Sequence, residues 1–200
     1  MEYGSRLRFV LLTIGAILLL VLSAWGIASI ARNLINGTDK KTSQTEKITL
    51  TDYTRPNTSV KITVEGPIVA DENFESYEIE VGQDYRRITV YKGYGKTVVL
   101  QKTYDNNDVA FESFMKALAK AGFTNSNNST GTEDERGSCA TGKRYVYELK
   151  DFDEQVSRLW NTTCSTKTGT LTGSGQAIRS LFKAQIPEYQ EFAKKNTILN

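Results

Sequence analysis

Residues 9–31, FVLLTIGAILLLVLSAWGIASIA, hold no charged residue and no proline. As a helix this run is roughly 34 Å long, enough to cross a bilayer core of about 30 Å with a slight tilt. A signal-peptide core is usually shorter. The run predicts a transmembrane helix, with Trp25 toward one end as an interfacial ring and the lipid bilayer as its partner. Arg6 and Arg8 precede it and Arg32 follows it. The alternative is a cleaved signal peptide, with the small residues Ala28, Ser29 and Ala31 supplying a cleavage site after Ala28 or Ala31. Lysine and arginine near the two ends give no decisive asymmetry, but a short basic segment before a first apolar run is the pattern of an anchor with its N-terminus inside. The expected layout is a tail at 1–8, the membrane helix at 9–31, a polar tether at 32–47 and an extracytoplasmic domain at 48–200.

Composition narrows the function classes. The chain has 200 residues, 25 Lys and Arg, 23 Asp and Glu, and no histidine. A net charge of +2 makes no case for nucleic acid as a partner. Without histidine there is no Ser-His or Cys-His nucleophile pair, and two cysteines do not make a cysteine-only zinc site. No cofactor and no metal centre is indicated.

Cys139 and Cys164 lie on either side of two strand-like runs. A bridge between them staples a hairpin and persists in an oxidising compartment. The alternative is two unrelated buried thiols. No C-x-x-C spacing supports a catalytic dithiol.

The periodicities of 48–200 predict an α+β domain with an antiparallel sheet of about seven strands and two or three helices, in the order five strands, helix, two strands, helix. The strand-like runs are 48–54, 59–66, 76–82, 85–93, 96–104, 144–150 and 155–162. Gly82-Gln83-Asp84 and Gly93-Tyr94-Gly95 provide hairpin turns. A helix from about 108 to 121, capped by Asn106, Asn107 or Asp108 and stopped by Gly122, carries the stripe Val109, Phe111, Phe114, Met115 and Leu118. A second helix covers about 175–185, burying Ile178, Leu181 and Phe182. Pro187 then opens a short terminal helix with Tyr189, Phe192 and Ala193 inward.

Three groups of residues invite a chemical reading. Asp151, Asp153 and Glu154 crowd one turn, and Glu133, Asp134 and Glu135 crowd a loop; paired carboxylates can serve a hydrolase or a calcium ion, but solvated turns collect them too. Gly169 to Gly175 precedes a helix, where backbone N–H groups can hold an anion, although no P-loop lysine follows. The third group is aromatic. Tyr85, Arg87 and Tyr91 share one strand face, Tyr145 and Tyr147 share another, and Arg158 and Trp160 a third. Tyrosine, tryptophan and arginine are typical interface anchors and stack well on sugars; cross-strand aromatic pairs also simply stabilise sheets.

The sequence therefore favours a single-pass cell-membrane protein whose domain outside the cytoplasm is a non-catalytic binding module for a protein or a cell-envelope polymer. The alternatives are an envelope hydrolase using carboxylates and a structural subunit of an envelope assembly.

Overall fold

The computed structural model describes residues 48–127, 135–152, 154–164 and 169–200. The tail, the apolar run 9–31 and the tether lie outside the described residues, as do Glu133, Asp134 and Asp153. No helix among the described residues is long and apolar enough to cross a membrane.

The described residues form an α+β fold with one six-stranded antiparallel sheet and three helices. The strands are β1 (Thr58–Glu65), β2 (Glu75–Gly82), β3 (Tyr85–Lys92), β4 (Thr97–Asp105), β5 (Arg144–Asp151) and β6 (Glu154–Thr162). The helices are α1 (Asp108–Ala121), α2 (Gly175–Ala184) and α3 (Tyr189–Lys195). The sheet order is β4-β3-β2-β1-β5-β6, and every pairing is antiparallel.

There are six strands rather than seven. The run at 48–54 folds instead as a 3₁₀ turn, Leu50–Tyr53, closed by the Asp52 N–H on the Thr49 carbonyl. Its apolar residues, Ile48, Leu50 and Tyr53, change spacing from two to three, which suits a turn better than a strand. Leu50 is buried in the core beneath α1.

Alternation places one set of side chains on each face of the sheet. Val60, Ile62, Val64, Tyr77, Ile79, Val81, Ile88, Val90, Tyr145, Tyr147 and Leu149 face the helices and form the core with Phe111, Phe114, Leu118, Ile178 and Phe182. The α1 cap is Asn107, whose side chain accepts from the Ala110 N–H at 3.0 Å. Gly122 ends that helix in the left-handed region, at φ 79°. Val109, expected in the apolar stripe, is 74% exposed. At 100° per residue it lies roughly 200° from Phe111, on the opposite side of the helix. Leu181 and Phe192 are half-buried, whereas Ile178, Phe182, Tyr189 and Ala193 are buried.

Cys139 and Cys164 are joined, with Cα atoms 5.5 Å apart, closing the open end of the β5–β6 hairpin.

Candidate functional site

All three helices pack on one face of the sheet, so the functional question concerns the other. That outer face has a covered half and an open half. On the β5–β6 side, the buried Glu135 accepts from Arg158 with both carboxylate oxygens at 2.6 Å. Segment 169–171 lies against β6: the Thr170 and Leu171 N–H groups donate to the Trp160 carbonyl, and the Trp160 N–H donates to Thr170 Oγ1. The open half spans β1 to β4 and presents Lys61, Glu78, Glu80, Tyr85, Arg87, Tyr91 and Gln101.

The seven aromatic and arginine candidates are therefore not one surface. Tyr145 and Tyr147 point into the core, with Tyr147 only 1% exposed, and Arg179 of α2 lies 4.3 Å over the Tyr145 ring. Trp160 is on the outer face but is also 1% exposed. These three rings are committed to the fold and offer no contact surface. Arg158 is held by Glu135. Only Tyr85, Arg87 and Tyr91 stand together on the open half, each partly exposed. Their strand places them there because residues 85, 87, 89 and 91 alternate away from the core residues Ile88 and Val90.

Opposite charges on this face pair across strands. Glu80 stands opposite Arg87 and binds its guanidinium; it also accepts from Ser59 Oγ at 3.1 Å. Glu78 accepts from Lys96 Nζ at 2.8 Å and from the Tyr91 hydroxyl at 3.1 Å. Lys61 reaches Glu148 at 2.9 Å. Burial by itself pushes the Glu78 carboxyl up, but Lys96, Lys61 and Tyr91 together outweigh it and hold the group below the ordinary glutamate range. Burial likewise works against the Lys61 ammonium, and Glu148 more than compensates. Glu78 is thus ionised and occupied, which is the opposite of what a general acid near neutral pH needs.

Two clefts share Glu80. One, of about 230 Å³, is lined by Glu78, Glu80, Arg87, Thr89, Tyr91 and Gln101. The other, of about 490 Å³, includes Ser59, Glu80, Gln83, Tyr85, Lys150 and Phe152. Together they mark a shallow path across the strands, with Tyr91 toward one end and Tyr85 and Phe152 toward the other. Gly82 makes room for the Tyr85 ring: a Cβ there would sit 2.7 Å from Tyr85 Cε1.

Phe152 was not singled out by the sequence. It is 65% exposed and adopts φ 54°, a left-handed conformation that is costly for a bulky side chain. Its N–H donates to the Asn57 carbonyl at 2.9 Å, which fixes the turn. A phenylalanine flanked by Asp151 and Asp153 at a hairpin turn is the signal that was available in the sequence. The described carboxylates of that turn, Asp151 and Glu154, do not gather into a catalytic group. Asp151 is bound by Arg55 and Thr58, and Arg55 in particular holds its carboxyl below the usual range; Glu154 is exposed. Among the described residues no cluster of acidic or cysteine side chains is arranged to hold a metal. The glycine-rich segment before α2 is used structurally, with Ser174 Oγ capping the Ala177 N–H.

No family model matches the chain, and no curated protein matches it.

Proposed function

We propose that this chain is a single-pass membrane-anchored, non-catalytic binding module whose domain, residues 48–200, stands outside the cytoplasm and receives a cell-envelope polymer of glycan type on the open sheet face. The observation that carries the reading is Phe152, an aromatic ring kept in solvent on a left-handed backbone at the mouth of the groove. Folding gains little from such a residue, and strained, exposed side chains cluster where a ligand is met. Behind it the face alternates rings with hydrogen-bonding groups: Tyr85, Arg87, Tyr91, Gln101, Glu78 and Glu80. Its charges are paired, so the groove offers many donors and acceptors without a strong net field. That suits a neutral, hydroxyl-rich chain whose sugar rings stack on aromatics. The uncharged run 9–31 supports the anchor, and the Cys139–Cys164 bridge supports an oxidising compartment.

The test is co-sedimentation of the detergent-solubilised full-length protein with insoluble envelope glycan. Tyr91→Ala and Phe152→Asn should each weaken retention by about ten-fold, or about 1.4 kcal/mol. Unchanged retention of both variants would refute the groove. Release of soluble glycan fragments by the wild-type protein would instead establish a hydrolase.

A further inference from the structure

On the helix side of the sheet, where α2 lies over β5 and β6, the charges are not balanced. Arg179 and Lys183 stand about one turn apart on α2, and Lys143 immediately precedes β5. All three are half-buried, and none of them pairs with a side-chain carboxylate among the described residues. The lysines have main-chain oxygens instead: Lys143 Nζ donates to Ile198 and Asn200, and Lys183 Nζ to Leu199 at 3.4 Å. A terminal carboxylate on Asn200 would offset one of the three charges and leave two. Burial first, and a neighbouring cation second, hold both ammoniums below the ordinary lysine range; the neighbour is Lys183 for Lys143 and Arg179 for Lys183. Half-buried like charges without a counter-ion cost stability, so folding alone gives no reason to gather them.

The arginine is held in place with one edge free. Its guanidinium carbon lies 4.3 Å over the Tyr145 ring, and its Nη1 donates to the Tyr147 hydroxyl at 3.4 Å. These contacts fix the guanidinium and leave its Nε–Nη2 edge without a partner among the described residues. That edge is the fork that meets two oxygens of a carboxylate or phosphate at once. Beside it, Asn161 of β6 accepts from the Tyr147 hydroxyl through Oδ1 at 3.1 Å, and its Nδ2 donates to no described group. Gly175, the first residue of α2, leaves room for both side chains: a Cβ there would collide with Asn161 Nδ2 and lie 3.0 Å from Arg179 Nη1. We infer that Arg179 and Asn161 form an anion site between α2 and β6, in the field of Lys183 and Lys143, and that its ligand is a phosphate group.

A phosphate matches this set better than a carboxylate does. It presents more oxygens, so one group meets both the Arg179 edge and Asn161 Nδ2, and a dianion offsets two of the cations. The site lies on the helix side of the sheet and the glycan groove on the other, so the two readings stand or fall separately. A phosphate reaches such a site as the free ion, in a lipid headgroup or along an anionic polymer.

Titration calorimetry of the solubilised full-length protein with sodium phosphate, against sodium chloride at equal ionic strength, tests the site. Phosphate should bind saturably and chloride should not. Asn161→Asp keeps an acceptor for the Tyr147 hydroxyl and sets a carboxylate beside Arg179. It should keep the wild-type circular dichroism and weaken phosphate binding by about ten-fold or more, and Arg179→Gln should do the same. Lys120→Gln, exposed on α1, should bind phosphate as the wild type does. Competition then identifies the source. Displacement of phosphate at lower concentration by phosphatidylglycerol assigns a lipid headgroup, by poly(glycerol phosphate) a polymer, and by neither the free ion; each of these supports the site. No saturable phosphate binding, equal binding of chloride, or full affinity in either folded site variant would overturn the inference.

Discussion

Replacing Phe152 by asparagine separates what this residue does for folding from what it does for binding. Two effects on stability oppose each other. A bulky L-residue in the left-handed region carries about 1–2 kcal/mol of strain, most of which asparagine avoids. Against that stands the part of the ring that is shielded. With 65% exposure, about a third of an aromatic surface of roughly 200 Å² is out of water. At about 25 cal/mol per Å² this is worth about 1.7 kcal/mol, an upper value because unfolded chains also bury some surface. The two effects nearly cancel, so the Phe152→Asn protein should unfold in urea within about 1 kcal/mol of wild type. A buried phenylalanine truncated to a small residue costs about 3–5 kcal/mol. Retention on envelope glycan should nevertheless fall about ten-fold. A stability loss of about 3 kcal/mol or more would mean that the ring packs in the fold, and the reasoning from exposure would fail. Full retention would remove Phe152 from the contact surface.

Three further outcomes follow from burial and cross-linking. Trp160→Ala should cost about 4 kcal/mol and lower the urea midpoint by about 2 M, because its ring is 1% exposed; a variant as stable as Tyr91→Ala would contradict the covered β6 face. Removing the bridge with Cys139→Ser plus Cys164→Ser reopens a 25-residue span worth about 3.5 kcal/mol of chain entropy, so calorimetry should show a melting temperature lower by about 10 °C, and an unchanged melting temperature would count against this account. Burial pushes Tyr147 and Tyr189 up to about 12, and burial with the field of Glu80 does the same for Tyr85. A raised folded-state value stabilises the protein below the ordinary tyrosine pKa near 10, and that contribution is lost as pH rises from there through about 12. Urea midpoints and tyrosinate absorbance followed upward from pH 9 should therefore fall and rise together; ionisation of every tyrosine near pH 10 with constant stability would contradict it.

Much of the fold was legible because it rests on local patterns. SYEIEVG alternates cleanly, and its Glu78 and Glu80 emerge on the outer face as alternation requires. Asn107 and Gly122 bracket α1 through capping chemistry that needs no tertiary information. The turn at 50–53 was not legible, since a short apolar-polar run reads alike as strand or turn until a helix is packed against Leu50. Periodicity also separates two faces without saying which is covered. Tyr145 and Tyr147 fall on the helix side only because α2 lies across β5. Trp160 falls on the outer face and is buried all the same, which its alternation along β6 does not announce. Of the aromatic candidates, those on β3 escape such cover because the β2–β3 and β3–β4 links are short turns with no length to fold back. Phe152 went unseen because a lone aromatic in an acidic turn has no periodic partner; its meaning comes from the groove beside it.

Hydrogen–deuterium exchange of the full-length protein, with and without soluble glycan fragments from the envelope, addresses the open face most directly. The account predicts slower exchange in β2 and β3 around Glu78–Tyr91 and at the two links that carry Asn57 and Phe152, with α1 and α2 unchanged. No protection at any glycan concentration, or protection confined to the helix side of the sheet, would contradict it.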